Sequence, residues 1–458
     1  MSPHHGNLSV GSMTTISFTL NGELVVSEVS ERELLLRTLR ERFGLKSVKE
    51  GCGIGECGTC TVLIDDEPHY ACLTLSTKVD GHDVKTVEFL APSGKLHQLQ
   101  EAFIKHGAVQ CGYCTPGMLL SAYSLLLKNK EPDRETIKEA ISGNLCRCTG
   151  YVQIEEAIAA AAHTKRNSDI ETRMSKLARN PEPARTKKGK SKEEVIALLS
   201  QHDDARVIAG GTDIVVALRK GAVEGPFIDI SDVPELKGAD RSDGHIRINA
   251  ATTHRETSVN TAVREGAKSL SLACGWVGSP QIRNMGTIGG NLVNASPAAD
   301  SLAPLLIHDA VVSLESVFAR REVTLEEFIV APYKTVIERN ELLVSVTLKT
   351  LPGYREGYRR VTKRATWAIA RLSVAWAIRE EEGVFKDVRL AIGSCTPMPF
   401  RPVQVEEFLK SRRNERPVID EAMAMILDEV KRTAGIRPSF AYKIPVLKGI
   451  LESALRGH

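Results

Sequence analysis

The sequence predicts a multidomain α+β protein, and three changes of pattern along its 458 residues indicate this fold class. The N-terminal part combines short strand patterns with one helical stretch. Residues 95–164 are helical throughout, and strand and helix patterns alternate again after residue 193. A chain of this length exceeds one ordinary hydrophobic core and is long enough for three or four domains.

The N-terminal region predicts a small β-grasp domain over residues 13–88. Two alternating apolar runs meet at Asn21-Gly22, a pair that is the strongest short signal for a β-hairpin. A helical stretch, a glycine-rich loop and a short strand at Thr61–Ile64 follow. The order hairpin, helix, loop and strand is typical of the β-grasp fold.

Residues 89–165 predict a four-helix bundle. Gly107 ends the first amphipathic helix and Pro116 lies in the first turn of the second. Asp133 is a side-chain cap for the third helix, and the alanine-rich run from Tyr151 to His163 forms the fourth.

The bulk composition excludes several functions. A net charge of +3 gives no reason to expect nucleic acid or an anionic membrane as a partner. No apolar run approaches the ~20 residues of a membrane helix, and the N-terminus carries no signal peptide, so a cytoplasmic location is expected. Residues 166–192 are basic and contain no aromatic residue, which predicts an exposed linker rather than a nucleic-acid-binding tail.

Eight of the ten cysteines form two tetrads in the first third of the chain. The first tetrad comprises Cys52, Cys57, Cys60 and Cys72. Its C-x4-C-x2-C spacing with a distant fourth cysteine is typical of a plant-type [2Fe-2S] site. The intervening glycines allow positive φ angles and close approach of backbone N–H groups to sulfur. A structural zinc site usually pairs C-x2-4-C knuckles and fits this spacing poorly.

The second tetrad comprises Cys111, Cys114, Cys146 and Cys148. Its C-x2-C and C-x-C pairs could bind zinc as well as an iron–sulfur cluster. Their closeness in sequence to the first tetrad favours a second cluster. Each pair precedes or joins predicted helices, where backbone N–H groups at a helix N-terminus stabilise thiolate charge. Two four-thiolate sites together indicate electron transfer.

Long motifs around both tetrads resemble one protein family. EGCGIGECGTCTV at 50–62 resembles the N-terminal ferredoxin domain of the molybdenum hydroxylases, which include xanthine dehydrogenase and aldehyde oxidoreductase. QCGYCTPG at 110–117 and GNLCRCTGY at 143–151 resemble the helical iron–sulfur domain of that family. The resemblance implies a [2Fe-2S] cluster at each tetrad, with Gln110 placed to hydrogen-bond a molybdopterin.

Two glycine-rich segments further along predict a site for a phosphorylated ligand. VIAGGTD at 207–213 runs from a strand into a Gly-Gly turn whose N–H groups suit a pyrophosphate, although such a turn alone is often only a turn. The segment is not GxGxxG, so the Rossmann interpretation fails. SPQIRNMGTIGGN at 279–291, with ASPAAD at 295–300, offers glycines and polar side chains for a polyhydroxyl chain. The composition of residues 275–305 predicts an irregular segment.

Both segments resemble the FAD domain of the molybdenum hydroxylases. The resemblance implies a two-part FAD-binding domain of the vanillyl-alcohol-oxidase-like type over 193–346 and a C-terminal α+β flavoprotein domain over 347–458. Asp300 would hold ribityl or ribose hydroxyls, and one basic residue of 359–363 would contact the flavin. The residues implied at the pyrophosphate are Ala209, Gly210, Gly211, Thr212, Asp213, Ile214, Thr287, Gly290 and Asn291.

The resemblance also implies a role: that of the small subunit of a xanthine dehydrogenase-like oxidoreductase, with no catalytic acid or base in this chain. Substrate would be hydroxylated at a molybdopterin centre on a large partner subunit, within a heterotetramer or larger assembly. Electrons would pass through the second tetrad, the first tetrad and FAD to NAD⁺ or O2. The substrate is open among xanthine, other N-heterocycles, aldehydes and aromatic acyl thioesters.

Other interpretations stay open from the residues alone. A self-contained flavin–iron–sulfur oxidoreductase would need no molybdenum partner, and a zinc-stabilised scaffold would carry neither cluster nor flavin. Cys274 and Cys395 are expected as core thiols. Trp276 either shields the flavin ring or packs in the core. Met13 is an alternative to Met1 as the translation start.

Overall fold

The computed structural model describes residues 13–91, 94–164, 190–363 and 368–457. These residues form two compact units. The first unit takes the described residues up to 164 together with Gly211–Glu224 and Ser279–Asn284, and the second takes Lys190–Gly210, Gly225–Gly278 and the described residues from Met285 onward. The predicted linker at 166–192 lies almost entirely outside the described residues. All eight tetrad cysteines belong to the first unit.

The predicted β-grasp sheet is confirmed in the first unit. Its strands are Met13–Leu20, Glu23–Ser30, Thr61–Ile64, Glu67–Tyr70 and Asp83–Lys85. They lie in the order 2-1-5-3-4, with the first strand parallel to the fifth. Asn21 and Gly22 have φ angles of 53° and 89°, as a tight two-residue hairpin turn of this kind requires.

Short helical segments and the predicted bundle complete the first unit. They are Leu35–Arg37 with a π-helical turn at Thr38–Arg42, the 3-10 turns Ser76–Val79 and Val87–Leu90, and the helices Gln98–Lys105, Thr115–Lys128, Arg134–Ile141, Val152–His163 and Ile214–Arg219. Asp133 accepts a hydrogen bond from the N–H of Thr136 at 2.7 Å and caps its helix as predicted. Phe103, Met118 and Ile158 pack in the bundle core.

The second unit is built on two antiparallel sheets. One has the order Arg320–Thr324, Val311–Glu315, Leu342–Lys349, His245–Asn249 and Ala239–Ser242. The other has the order Arg355–Val361, Leu372–Glu381 and Val384–Gly393. Two strand pairs complete it: Arg206–Ile208 with Phe227–Asp229, which is parallel, and Ile329–Ala331 with Lys334–Thr335.

Helices cover these sheets. They are Lys192–Gln201, His254–Val259, Thr261–Gly266, Lys268–Trp276, Ile288–Asn294, Leu302–Ile307, Leu325–Phe328, Val403–Leu409, Arg416–Ala434 and Phe440–Arg456, with a 3-10 turn at Pro234–Leu236. No helix in the described part of the chain is both long and apolar enough to cross a lipid bilayer. Cys274 and Cys395 are buried in the two main cores of this unit, as predicted.

The expectation of an irregular segment at 275–305 is wrong. The segment carries the end of one helix and three short helices, of which the first is Pro280–Met285. The Thr287 side chain caps the next helix. Gly289 allows that helix to pack closely, since a Cβ there would lie 2.7 Å from the Cβ of Ala250. Side-chain capping and tertiary packing therefore overcome the poor helical propensity of the glycines.

Candidate functional site

The glycine-rich loop brings the first tetrad together as two pairs of thiols. Cys52 neighbours Cys57, and Cys60 neighbours Cys72. A hydrogen bond from the Cys52 thiol, together with Thr59, lowers the pKa of Cys57 to about 5 and favours its thiolate, the form that binds metal. Cys60 and Cys72 are buried, whereas the other pair is partly exposed.

Backbone N–H groups surround the Cys52 sulfur. Its Sγ accepts hydrogen bonds at 3.1 to 3.5 Å from the N–H groups of Ile54, Glu56 and Cys57. Gly53 and Gly55 have φ angles of +68° and +75°, a backbone conformation that glycine adopts without strain. The glycines thus turn the loop so that its N–H groups face sulfur, as a thiolate ligand requires.

The second tetrad also forms two pairs, at the start of the helical bundle. The Sγ atoms of Cys111 and Cys148 lie 3.5 Å apart, and Cys114 neighbours Cys146. The hydroxyl of Thr149 lies 3.1 Å from the Sγ of Cys146. Cys111 and Cys148 are exposed. This tetrad therefore opens to the surface of the unit, unlike the Cys60–Cys72 pair of the first.

The paired arrangement fits a two-iron cluster at each tetrad. A [2Fe-2S] cluster bound by four cysteines takes two thiolates on each iron, whereas a structural zinc ion takes four ligands around one point. The geometry of the sulfurs therefore favours clusters over zinc.

Direct hydrogen bonds join the two cysteine loops. The N–H of Leu145 donates to the carbonyl of Cys57 at 2.9 Å. The hydroxyl of Tyr113, which lies between two ligands of the second tetrad, donates to the carbonyl of Glu50 at 2.6 Å. Gln110, next to Cys111, is exposed. The two candidate cluster sites are therefore neighbours within one unit.

The helix Ile214–Arg219 contacts the first cysteine loop. The Arg219 guanidinium donates to the Glu50 carboxylate at 2.6 Å. A Cβ on Gly53 would lie 2.4 Å from the same guanidinium. This helix begins where the segment VIAGGTD ends, so the loop of the first tetrad is tied to a segment implied in flavin binding. Sequence analysis missed Arg219, which belongs to no motif.

The pyrophosphate segment VIAGGTD divides between the two units. Its residues Gly211, Thr212, Asp213 and Ile214 belong to the first unit. Gly211 has a φ of +79°, and its carbonyl accepts from the N–H of Val215 at 3.0 Å, which starts the helix. Burial raises the pKa of the Asp213 carboxyl, although a hydrogen bond from Thr212 opposes the rise.

Ala209 and Gly210 end the parallel strand pair of the second unit. The carbonyl of Ala209 accepts from the hydroxyl of Ser231 at 3.1 Å. A Cβ on Gly210 would lie only 1.8 Å from the Met285 carbonyl. Only glycine fits this position, which packs against the backbone immediately before Thr287. In the second unit the two glycine-rich segments are therefore adjacent.

The helix that starts after Thr287 holds the other implied pyrophosphate residues. The Thr287 hydroxyl accepts from the N–H of Gly290 at 3.1 Å, and Asn291 accepts from the hydroxyl of Ser301 at 2.6 Å. A Cβ on Gly290 would meet only Thr287 within 4 Å, whereas Gly289 packs tightly against Ala250. Gly290 is therefore the glycine of this helix that leaves space for a ligand.

Asp300 is buried and already has two partners. Tyr358 donates its hydroxyl at 2.6 Å to one carboxylate oxygen, and Arg360 donates at 2.7 Å to the other. Burial raises the pKa of Asp300 to about 6, although Arg360 and Tyr358 act to lower it. Strand alternation places Tyr358 and Arg360 on one face and Arg359 on the other. Arg360 is therefore the basic residue of 359–363 that reaches Asp300.

Trp276 lies beside this cluster. Its ring centre is 5.9 Å from the Arg360 guanidinium carbon and 6.0 Å from the Tyr358 ring. The side chain is 41% exposed, so the interpretation of Trp276 as a core residue is wrong. It presents an aromatic face at the surface of the second unit, next to Asp300.

A basic groove of about 980 Å³ opens in the second unit, and sequence analysis missed it. It is lined by Lys363, Arg371, Arg437 and Lys443, together with Pro297 and Ala298 close to Asp300 in sequence. None of the described lining residues is acidic. Burial lowers the pKa of Lys443, and the positive charges of Arg437 and Arg371 lower it further. The groove is therefore suited to an anionic ligand.

Family models match nearly the whole chain in sequence order. They describe a 2Fe-2S iron-sulfur cluster binding domain at 18–91, a [2Fe-2S] binding domain at 86–159, an FAD binding domain in molybdopterin dehydrogenase at 184–349, and a CO dehydrogenase flavoprotein C-terminal domain at 357–457. The two iron–sulfur matches overlap at residues 86–91, between the last strand of the β-grasp sheet and the first helix of the bundle.

Curated relatives match at two levels. The nicotinate dehydrogenase small FeS subunit of Eubacterium barkeri is 52% identical over 149 residues, which are 32% of this chain and 94% of that subunit. The nicotine 6-hydroxylase small subunit of Paenarthrobacter nicotinovorans is 47% identical over 146 residues, 32% of this chain and 88% of that subunit. Xanthine dehydrogenase/oxidase of Gallus gallus is 26% identical over 90% of this chain, which spans only 38% of that enzyme.

Solved structures also match. Carbon monoxide dehydrogenase from Hydrogenophaga pseudoflava has a chain with a TM-score of 0.54 and 25% identity, which covers 58% of this chain and 94% of its own length. The matched part of that chain therefore has the same fold.

Proposed function

Because the chain belongs to the molybdenum hydroxylase family, as one of its iron–sulfur and flavin components, we propose that it carries electrons from a molybdopterin centre on a large partner subunit to an external acceptor. It is an oxidoreductase whose cofactors are two [2Fe-2S] clusters and FAD. The clusters supply single-electron transfer, and FAD supplies exchange between one- and two-electron chemistry. The residues of the chain hold and orient these groups.

The proposed order of the route rests mainly on the contact between Arg219 and Glu50. That ion pair links the first tetrad loop to the helix that follows the flavin segment. The second tetrad instead exposes Cys111 and Cys148 at the surface of the first unit. This asymmetry supports entry of electrons at the second tetrad, followed by transfer to the first tetrad and then to FAD.

The surface around the second tetrad supports a docking site for the molybdopterin subunit. Large apolar side chains are exposed within seven residues of its ligands in sequence, namely Ile104, Val109, Tyr113, Leu145 and Val152. Exposed apolar side chains near a functional site are typical of interfaces with other proteins when they form a patch. Gln110 lies in the same loop, where it is free to approach a pterin. A heterotetramer or larger assembly remains our prediction.

We propose an N-heterocycle as the reducing substrate, with xanthine as the first candidate. The names of the relatives that match the iron–sulfur part refer to nicotinate, nicotine and caffeine, and a longer match is to xanthine dehydrogenase/oxidase. Aldehydes are the second candidate, because an aldehyde oxidase of Cavia porcellus matches 90% of this chain. Aromatic acyl thioesters stay a third candidate.

NAD⁺ is the proposed acceptor, with O2 as the alternative. The basic groove provides four cationic side chains for the two phosphates of a dinucleotide, whereas O2 needs no charged site. Pro297 and Ala298 line the groove and lie two or three residues before Asp300, which is implied to bind the flavin. We further propose a cytoplasmic location, where the eight tetrad thiols would stay reduced.

The test is isolation of the native complex from its source under anaerobic conditions. We expect a large molybdenum-containing chain to co-purify, visible absorption from iron–sulfur and flavin, and reduction of NAD⁺ by xanthine or another N-heterocycle. Nicotinate and an aldehyde serve as comparison substrates, and O2 replaces NAD⁺ in a parallel assay. A chain that oxidised substrate alone would support the self-contained oxidoreductase, and a colourless protein would contradict both proposals.

A further inference from the structure

We propose that Gln281 is a positioning residue that holds the two cysteine loops in one fixed relation. It lies on the short helix Pro280–Met285, in the segment Ser279–Asn284 of the first unit. Its side chain is completely buried. The inference rests on the two [2Fe-2S] clusters occupying the tetrads, and it assigns a role to a residue outside both cysteine motifs.

The amide nitrogen of Gln281 reaches three oxygens that belong to different elements. They are the side-chain oxygens of Asn144 at 3.1 Å, Ser121 at 3.2 Å and Thr61 at 3.4 Å. Thr61 directly follows the ligand Cys60. Ser121 lies on the helix that starts after Cys114, and Asn144 lies two residues before Cys146. One side chain therefore contacts the supports of both tetrads.

Asn144 extends this contact to the backbone of the first loop. Its amide nitrogen donates to the carbonyl of Gly58 at 2.9 Å, between the ligands Cys57 and Cys60. Its oxygen accepts from Ser121 at 2.7 Å as well as from Gln281. Hydrogen bonds thus run from Gln281 through Asn144 to the first tetrad.

The other end of the Gln281 amide has no partner. Its oxygen is buried and accepts no hydrogen bond. Gly143 makes room for it, because a Cβ there would lie 1.9 Å from this oxygen. An unpartnered buried carbonyl destabilises the folded state, and an apolar side chain of similar size would avoid that cost. Stability alone therefore does not explain a glutamine at this position. A glutamine is explained if its amide nitrogen serves to hold the side chains of Asn144, Ser121 and Thr61 in place.

The decisive variant is Gln281→Met, which keeps the length of the side chain and removes its donors. Each of the three groups keeps another hydrogen bond, because Ser121 still donates to Asn144 at 2.7 Å and Thr61 still accepts from Asn144 at 3.1 Å. A purely structural role therefore predicts a folded protein with unchanged spectra. Our proposal predicts loosened loops.

The readout is the magnetic interaction between the two reduced clusters, measured by EPR on the full chain with iron and flavin content determined in parallel. We expect Gln281→Met to retain iron and both cluster signals, to lose the splitting or enhanced relaxation caused by cluster–cluster interaction, and to shift the midpoint potential of the first cluster. The matched control is Asn284→Ala on the same helix, whose amide donates at 3.1 Å to the Pro68 carbonyl on the strand Glu67–Tyr70.

Spectra of Gln281→Met that superimpose on those of the parent and of Asn284→Ala would overturn the proposal. If Gln281→Met fails to assemble, Gln281→Glu provides the second test, since a buried carboxyl favours its protonated form and retains one donor. Its cluster interaction should weaken as the pH rises, and a pH-independent interaction equal to that of the parent would also overturn the proposal. Absence of two cluster signals in the parent protein would instead contradict the proposed function.

Discussion

The N–H of Leu145 donates to the carbonyl oxygen of Cys57 at 2.9 Å. Cys57 is a ligand of the first tetrad, and Leu145 directly precedes Cys146 of the second. The bond uses backbone atoms only, so it depends on the conformation of both cysteine loops and on no particular side chain. Neither loop can move far without moving the other.

Cys111→Ser should separate the partner subunit from FAD. Loss of one ligand should remove the second cluster, so iron content should fall toward half while FAD stays bound. Reduction of flavin by organic substrate should be lost, and reduction by NADH should persist. Cys395→Ala is the control, since this buried thiol lies outside both tetrads. Flavin reduction by substrate at the parental rate would show that the assigned route is wrong.

Asn144→Ala should destabilise the first unit. The substitution removes the donor to Gly58 and the acceptor for Ser121 and Gln281, all buried. We expect a loss of roughly 2–4 kcal/mol, because groups left unpaired in the interior cost about 1–3 kcal/mol each. Chemical denaturation followed by loss of cluster absorbance measures it. Asn129→Ala, at a partly exposed helix end, removes only the acceptor for the N–H of Glu131 and should cost about 1 kcal/mol or less. Equal effects of the two variants would contradict the prediction.

Arg219→Ala should slow electron transfer from the first cluster to FAD with little effect on stability. The Arg219–Glu50 pair is partly exposed, and such pairs contribute at most about 1 kcal/mol. Its loss frees the first cysteine loop from the helix after VIAGGTD. Stopped-flow absorbance would follow flavin reduction, and Arg37→Ala, which breaks an exposed pair with Glu41, is the control. Identical kinetics for the two variants would rule out this role.

Arg437→Gln should weaken NAD⁺ binding selectively. The side chain lines the basic groove, and loss of one favourable charge should raise KM for NAD⁺ roughly 5- to 10-fold, about 1–1.4 kcal/mol. The rate with an uncharged dye acceptor should not change. Arg416→Gln, whose side chain is exposed and does not line the groove, is the control. A parental KM in the Arg437 variant would argue against the groove as the acceptor site.

Asp300 should make the stability of the second unit depend on pH. Its pKa is raised from 3.8 to about 6 by burial, so the folded state binds more protons than the unfolded state between these values. Stability should therefore fall as the pH rises from 4 to 6, by up to roughly 3 kcal/mol.

The three tryptophans lie beyond residue 275 in sequence, so their fluorescence during urea unfolding reports on this part of the chain. The Asp300→Asn variant cannot ionise and should show a flatter profile. Both proteins are compared as the purified full chain at each pH. Parallel pH profiles for Asp300→Asn and the parent would contradict the assignment.

Local patterns predicted much of the fold and of the cluster sites. Asn21-Gly22 formed the predicted hairpin turn, and Asp133 capped the predicted helix, because both depend on neighbouring backbone groups. The cysteines of each tetrad lie together in the structure, although the second tetrad pairs Cys111 with Cys148 and Cys114 with Cys146, across its two sequence motifs. Local patterns gave the wrong structure for residues 275–305. A helix forms there because Thr287 caps it and Gly289 packs on Ala250.

The sequence by itself determined which residues carry the chemistry, because cluster ligands and phosphate-binding glycines occur in short motifs with fixed spacing. Only the tertiary structure decided how these sites are joined. Arg219 lies 169 positions from Glu50, and Gln281 lies 220 positions from Thr61. No local spacing encodes such pairs, since they arise when distant segments pack and each buried polar group must find a partner in that packing.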